Sequence, residues 1–456
     1  MCAWPTDAPG EWALGEDDFV YLLPSTPGTN PNELSISAAL APRLFDIRGV
    51  SRNAADLATD IRIENMSLIG SGWLRNFECE WADRMNSQPS RDPTGQWAFT
   101  REGMVRVENA TNVVVAGCKL LAAGTSAVWY EHFAQNCSVE SSWIESASFT
   151  GIHVNGFDID NGHIPGTTNF SSPAEADVSF GHIFRNNLIT KMGLHVTYGG
   201  GIYIHQSHDV LVENNEMSWS PRNLISTFGY PPAIHSEMYG LQVDFFTQYK
   251  LTTSSHLIFR GNDLSHACGD SQVCACVCAC VRARARARAC VSFGQRHVTH
   301  SLCSVCSVLC VLCALCALYS QDCGIWEAWC PGRSNLVVGN SFHDHWATMG
   351  QAFTMMFPDS SNNWWSLIGN VFYNNLQSGV PTQSPGGSTG MTLTGLKSYN
   401  QTVTDNIIAD SSHDSGVWIG QSGGLGGGFV VERNIFSNFT QKGQVCAQPL
   451  SHSQTS

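Results

Sequence analysis

The sequence predicts an all-β chain that folds as a parallel β-solenoid of about ten coils. A short apolar strand, a bend with a small polar residue and a second apolar strand recur along the chain, for example in HIFRNNLI, VLVENNEM and TVTDNII. Most copies lie 24 to 36 or 45 to 52 residues apart, and periods of this length are typical of stacked supersecondary units. A single coil cannot bury its inner face, so the stacking of coils is expected to form the core.

One bend position marks each coil of the predicted solenoid. The ten positions are Met66, Cys118, Ser142, Asn187, Asn215, Asn262, Asn340, Asn370, Asn406 and Asn434. Strands of four to six residues with alternating apolar character flank these bends, and no helical periodicity of convincing length intervenes. Because asparagine repeats at the bend of the later coils, its side-chain amides are expected to form a hydrogen-bonded ladder.

Residues 273–321 interrupt the repeat with a foreign composition. They hold 10 of the 18 cysteines, five arginines and no acidic residue, in alternating Val-Cys and Arg-Ala runs. Dinucleotide repeats encode such runs, and removing these 49 residues reduces the gap between Asn262 and Asn340 from 78 to 29 residues. We interpret the segment as a translated intron or low-complexity insert. A cysteine-rich metal-binding insert and a membrane hairpin are the alternatives.

In most coils a further strand precedes the two strands that flank the bend. Its alternation of apolar and polar residues predicts which of its side chains point outwards. By this count Glu327 points inwards. The predicted substrate-binding residues on the outer stripe are Trp129, Glu131, His153, Tyr203, His205, Trp326 and Trp418. Aromatic rings between carboxylates and imidazoles suit a sugar-binding groove, because sugar C–H faces stack on rings and sugar hydroxyls take hydrogen bonds.

The order of MVRVENATNVVVAGCKL, GGGIYIHQSHDVLVENNEM and DCGIWEAWCPGRSNLVVGN resembles right-handed parallel β-helix proteins of the pectin-lyase-like class. Within that class the chain is most similar to the carbohydrate-active group that includes glycoside hydrolase family 141. The resemblance spans 11–272 and 322–441. It implies a right-handed parallel β-helix over 51–441 and a small β extension in 1–50. The repeat ends abruptly after Gln441, so a disordered or aberrant tail is expected in 442–456.

The same resemblance implies two catalytic acids on late coils. The matching positions are Asp322 in DCGIW and Asp359 in FPDSS. Hydrolysis of a glycosidic bond needs one carboxylic acid that protonates the leaving oxygen and one carboxylate that acts as base or nucleophile. The expected function is therefore a polysaccharide-directed glycoside hydrolase that uses Asp322 and Asp359, with Glu327 as a further acidic candidate.

Two other functions stay open at this stage. His153, Tyr203 and His205 lie on neighbouring coils and can transfer protons next to a uronate carboxylate, which is the chemistry of a uronan lyase or epimerase. A non-catalytic glycan-binding or surface protein is the third alternative, because β-helices host all of these functions. The sequence alone indicates neither the sugar nor the linkage.

The composition and a few short motifs limit the classes of partner and cofactor that the chain is expected to bind. The net charge of −14 argues against nucleic acid and anionic membranes as partners. The outer stripe and the resemblance predict a polysaccharide partner, and a monomer is expected. No metal or other cofactor is predicted, and Asp158 with Asp160 is a weak candidate for Ca²⁺. Six N-x-S/T sequons fit a secreted protein, whereas the opening MCAWPTDAPGEWALGEDD contains no signal peptide pattern.

Overall fold

In the computed structural model, part of the chain is described. The described residues are 12–14, 20–34, 38–51, 53–72, 102–156, 179–196, 199–205, 207–228, 254–267, 323–329, 334–347, 353–358, 365–377, 389–394, 400–410, 417–420, 428–437 and 445–447. The chain divides into two compact units, Met1–Ala39 and Leu40–Ser456. In the first unit, strands Trp12–Leu14 and Val20–Leu22 pair antiparallel, and a 3₁₀ turn spans Pro31–Glu33.

The second unit contains three sheets, and every strand pair in them is parallel. The first sheet runs in the order Phe45–Arg48, Gly103–Thr111, Ser126–Gln135, Ile152–Asn155, Ile202–His205, Ile225–Phe228, Cys323–Trp329, Phe353–Pro358, Thr389–Thr394, Val417–Gly420 and Val445–Ala447. Ala58–Thr59 and Ser179–Phe180 pair at its margin, with Gly103–Thr111 and Ser126–Gln135 respectively.

The other two sheets have ten strands each, one from each coil. The second sheet contains Arg62–Glu64, Val114–Ala116, Ser138–Glu140, Ile183–Arg185, Leu211–Glu213, Ile258–Arg260, Asn335–Val338, Trp365–Ile368, Thr402–Thr404 and Val430–Glu432. The third sheet contains Ser67–Ile69, Lys119–Leu121, Trp143–Glu145, Leu188–Thr190, Glu216–Ser218, Asp263–Ser265, Ser341–Ala347, Val371–Gln377, Ile407–Ala409 and Ile435–Ser437. Each coil contributes one strand to each sheet in turn, so the prediction of a parallel β-helix of about ten coils is confirmed.

The bend between the second and third sheets explains the repeat in the sequence. The residue before each marked bend position has a left-handed backbone, with φ between 49° and 64°. Only glycine, asparagine and a few other residues adopt this conformation readily. From Asn187 to Asn406, each asparagine donates its side-chain Nδ2 to Oδ1 of the next asparagine, at 2.8–3.0 Å. The predicted asparagine ladder is therefore confirmed.

Inward-facing apolar residues fill the space between the three sheets. Phe342 stacks on Phe372 of the next coil, with ring centroids 4.6 Å apart. The indole of Trp365 meets that of Trp326 edge-on at 5.4 Å. These side chains are almost completely buried, so equivalent positions of successive coils form one continuous core.

The coils on either side of residues 273–321 are direct neighbours. Ile225–Phe228 pairs with Cys323–Trp329, and Asn262 Nδ2 donates to Asn340 Oδ1 at 2.8 Å. Residues 273–321 and most of the tail 442–456 lie outside the described residues. The interpretation of 273–321 as an insert and the predicted domain limits stay predictions. Among the described residues, no helix is long and apolar enough to cross a membrane.

Candidate functional site

The outer face of the first sheet carries two rows of side chains, aligned by the strand pairing. Outer row one consists of Asp46, Arg106, Trp129, His153, Tyr203, Ser226 and Glu327. Outer row two consists of Arg48, Glu108, Glu131, Asn155, His205 and Phe228. Of the predicted substrate-binding residues, the structure brings five together here: Trp129, Glu131, His153, Tyr203 and His205.

The prediction for strand Cys323–Trp329 was wrong by one residue. Matching Gly324 with Gly201 of the other coils placed Trp326 outside and Glu327 inside. The observed register instead pairs Trp326 with the inward-facing Ile225, so Trp326 lies in the core and is not a sugar platform. Its indole Nε1 donates to Thr227 Oγ1 at 3.2 Å.

Glu327 therefore points outwards, where protein donors already occupy its carboxylate. Arg222 donates from Nε to Oε2 and from Nη2 to Oε1, both at 3.1 Å. Asn223 Nδ2 donates to Oε2 at 2.5 Å. The Arg222 and Glu327 side chains are only 5% and 6% exposed. This buried ion pair joins two neighbouring coils, and it leaves Glu327 poorly suited to protonate a substrate.

Aromatic and imidazole rings converge in the middle of both rows. His153 stacks on Trp129 with ring centroids 4.0 Å apart and an interplanar angle of 17°. His205 meets His153 edge-on at 4.8 Å, and Tyr203 lies 5.8 Å from each histidine. Phe149, from the preceding bend, contacts His153 and Tyr203 at 5.6 and 6.0 Å. We call Trp129, His153, Tyr203 and His205 the ring cluster.

Burial distinguishes the members of the ring cluster. Trp129, His153 and Tyr203 face outwards from the sheet, yet they are only 3%, 2% and 5% exposed. Phe149 and Val196 pack against Trp129 and Tyr203 and cover part of this face. His205 is partly exposed. A substrate from solution therefore meets the ring cluster first at His205, with the other rings behind it.

Glu131 lies in outer row two beside the ring cluster and is buried. Trp129 donates its indole Nε1–H to Glu131 Oε2 at 2.5 Å. Asn155 donates Nδ2 to Glu131 Oε1 at 3.4 Å. Both carboxylate oxygens therefore accept hydrogen bonds from neutral groups of the protein. Sequence patterning placed Glu131 on the outer stripe, but it gave no sign that Asn155 would donate a hydrogen bond to it.

The amino-terminal end of the two rows is charged. Arg106 Nη1 lies 2.8 Å from Glu108 Oε2, and Arg48 Nε lies 3.0 Å from the same oxygen. Asp46 is a further carboxylate of this group, 3.8 Å from Arg106 Nη1. These two arginines and two acids offset one another, so this end of the outer face carries little net charge.

Asp322 and Asp359, and the side chain of Trp418, lie outside the described residues. In the paired strands next to the two aspartates, Cys323 is opposite Phe353 and Ala328 is opposite Pro358. The roles of Asp322, Asp359 and Trp418 therefore stay predictions.

Metal binding finds no support in the part of the chain that the structure describes. No group of three or more histidine, cysteine, aspartate or glutamate side chains is placed there to hold an ion. Asp158 and Asp160, the weak Ca²⁺ candidates, fall outside the described ranges.

Comparisons with known proteins found similar solved structures. No protein-family model matches the chain, and no curated protein does. Among solved structures, a glycoside hydrolase is 13% identical with a TM-score of 0.46, and the match covers 96% of this chain and 57% of that chain. The periplasmic alginate epimerase AlgG is 10% identical with a TM-score of 0.35, covering 85% of this chain and 69% of that one. PfbA, a surface adhesin of Streptococcus pneumoniae, is 11% identical with a TM-score of 0.34, covering 84% and 71%. The chain thus spans little more than half the length of the glycoside hydrolase. These likenesses identify neither a substrate nor a reaction.

Proposed function

We propose that this protein acts on uronate-containing polysaccharides by proton transfer at the ring cluster, as a lyase or epimerase. One observation carries the proposal: two imidazoles and a phenol from adjacent strands converge, with His153 and His205 4.8 Å apart and Tyr203 within 5.8 Å of both. Histidine and tyrosine are side chains that serve as general bases and acids. His205 is the partly exposed member of the three, which gives the substrate access.

The chemistry assigns a separate role to each group. A neutral imidazole of His205 removes the proton on the sugar carbon next to the carboxylate. In a lyase, the released electron pair forms a carbon–carbon double bond and the glycosidic C–O bond breaks. The leaving oxygen takes a proton from an acid, for which the Tyr203 hydroxyl, on the same strand as His205, is the candidate. In an epimerase, the same carbon is reprotonated from its other face and no bond in the chain breaks.

A glycoside hydrolase is the second candidate. Its support is that Asp322 and Asp359 directly adjoin two paired strands of the same sheet, Cys323–Trp329 and Phe353–Pro358. This mechanism needs both carboxyls at one bond. Glu327 is not assigned the role of the acid, because Arg222 and Asn223 already donate hydrogen bonds to its carboxylate.

The deciding experiment incubates the protein with neutral and acidic polysaccharides. New reducing ends, unsaturated uronate absorbance and the proton NMR spectrum of the polymer are followed together. We expect unsaturation or epimerisation on a uronan, lost at least a hundredfold in His205→Gln and reduced in Tyr203→Phe. The matched controls are Tyr130→Phe, on the inner face of the same sheet, and His208→Gln, at a bend of the coil; both should keep full activity.

Two other outcomes would reject the proposal. Reducing ends without unsaturation, abolished in Asp322→Asn or Asp359→Asn but kept in His205→Gln, would establish hydrolysis. Retention on a polysaccharide column without any product would indicate a glycan-binding protein. Location outside the cell and a monomeric state stay predictions, which secretion assays and sedimentation measure directly.

A further inference from the structure

We infer that Glu131 is a positioning residue for the ring cluster, and not a group that contacts the substrate. The inference rests on the proposed function and deepens it, because it explains how His205 is held for proton transfer. Patterning alone placed Glu131 among the substrate-binding residues. The contacts of its carboxylate give it a different task.

The first step is the contact between Glu131 and the indole. Trp129 Nε1–H donates to Oε2 at 2.5 Å, within a group that is 2–3% exposed. A hydrogen bond to a carboxylate is stronger than one between neutral groups, and it has a preferred direction. It therefore restricts rotation of the Trp129 side chain and fixes the plane of the indole ring.

The second step runs from the indole to the exposed histidine. His153 lies on the fixed indole at 4.0 Å and is inclined to it by 17°, so the plane of the indole sets the plane of the imidazole. His205 in turn meets the His153 ring edge-on at 4.8 Å. One hydrogen bond and two ring contacts thus link the buried carboxylate with the partly exposed imidazole.

The third step is a parallel route through outer row two. Asn155 lies between Glu131 and His205 in that row, paired with Glu131 on one side and with His205 on the other. Its Nδ2 donates to Glu131 Oε1 at 3.4 Å. One carboxylate thus orients a neighbour of His205 in each row. Orientation matters here because a displacement of about 1 Å can reduce a rate about a hundredfold.

The test replaces Glu131 with glutamine, which keeps the shape of the side chain. Glutamine offers one acceptor oxygen where the carboxylate offers two, so Trp129 or Asn155 loses its acceptor. We expect kcat to fall about tenfold to a hundredfold while KM changes less than twofold, since the substrate does not contact this group. The pH profile of kcat should shift, because the surroundings of His205 change. Glu140→Gln is the matched control: Glu140 lies on the same coil, on the outer face of the second sheet, and pairs with Arg185.

A double-mutant cycle separates positioning from general destabilisation. Trp129→Phe keeps an aromatic ring but removes the indole N–H. If Glu131 acts through this bond, Glu131→Gln in the Trp129→Phe background should lower kcat by less than half the factor seen in wild type. If Glu131→Gln does not fold, as judged by circular dichroism, Trp129→Phe alone should lower kcat by about tenfold or more, because it removes the same hydrogen bond.

Fluorescence keeps the inference testable without turnover. The emission spectrum of Trp129, obtained as wild type minus Trp129→Phe, reports the surroundings of the indole. Glu131→Gln should shift that spectrum, because it changes the acceptor at Nε1, whereas Glu140→Gln should not. If wild type turns over no polysaccharide, the proposed function fails while this spectrum still tests the positioning role. A raised KM with unchanged kcat, fully additive mutations or an unaltered emission spectrum would each overturn the inference.

Discussion

The outer face of the first sheet and the outer faces of the other two sheets differ in what their side chains contact. On the second and third sheets, pairs such as Glu213–Arg260 and Glu145–Lys191 bridge coils at the surface, with the cations about half exposed. On the first sheet, the outward-facing residues Trp129, His153 and Glu327 are at most 4% exposed. All three sheets alternate inward and outward residues in the same way. The alternation therefore determines direction, while burial of the outward residues is a separate property that marks the first sheet as the candidate site.

The largest predicted effect compares one ion pair from each type of face. Glu327→Ala removes a carboxylate that Arg222 and Asn223 contact in a buried environment. It should lower the free energy of unfolding by about 3–5 kcal/mol, because it leaves a buried cation uncompensated. Glu213→Ala removes the carboxylate of a surface pair and should cost less than about 1 kcal/mol.

Urea denaturation of the two variants at one pH measures this difference. Equal losses for Glu327→Ala and Glu213→Ala would mean that solvent reaches the outer face of the first sheet. The difference in burial between the outer faces would then be wrong. Arg222→Ala tests the pair from its other side and should also cost several kcal/mol. Because Arg222 and Glu327 come from coils on opposite sides of residues 273–321, this measurement also probes the contact between those coils.

Buried histidines give the next largest effect, through pH. Burial lowers the pKa of His345 to about 4 and that of His182 to about 3. His182 Nδ1 accepts from the Cys137 amide N–H, so the neutral ring carries its proton on Nε2 and donates it to Ser179 Oγ. In the folded chain these two imidazoles are thus neutral, whereas in the unfolded chain the same side chains take up protons below about pH 6.5.

The sign of the pH dependence follows from these two pKa values. The stabilisation is complete above about pH 6.5 and is lost as the pH falls towards the folded values near 4 and 3. Each histidine should reduce the free energy of unfolding by up to about 1.4 kcal/mol per pH unit in that window. His345→Leu should flatten the slope measured by urea denaturation between pH 7 and 5. The control His256→Gln, whose side chain is 59% exposed, should change the slope less than His345→Leu does, and equal slopes in both variants would contradict the assignment.

Sequence alone predicted the coils well and the site only in part. Asparagine at one bend and alternating apolar strands indicated the ladder and the stacking of parallel coils, because both are local patterns that repeat. The same alternation failed at Trp326 and Glu327, since Ile325 and Trp326 are both buried at the start of their strand. Register there is set by pairing with Ile225, a contact between residues far apart in sequence. Burial of Trp129 was not predictable either, because it depends on Phe149 from another part of the coil.

The smallest predicted effect tests what determines the contribution of a polar contact to the free energy of unfolding. It compares a buried hydrogen-bonding side chain with a partly exposed one. Asn340 accepts from the Asn262 backbone N–H and Nδ2, and donates to Asn370 and to the Phe259 carbonyl. Asn340→Ala leaves these buried partners unsatisfied and should cost about 1–3 kcal/mol. Asn434 ends the ladder, where it accepts from Asn406 but is partly exposed, so water replaces what alanine removes. Asn434→Ala should therefore cost less than about 1 kcal/mol in the same urea titration.

If both substitutions cost the same, burial would not be what separates the first-sheet ion pair from the surface pairs. The difference between Glu327→Ala and Glu213→Ala would then need another cause, such as the second donor that Asn223 supplies to Glu327.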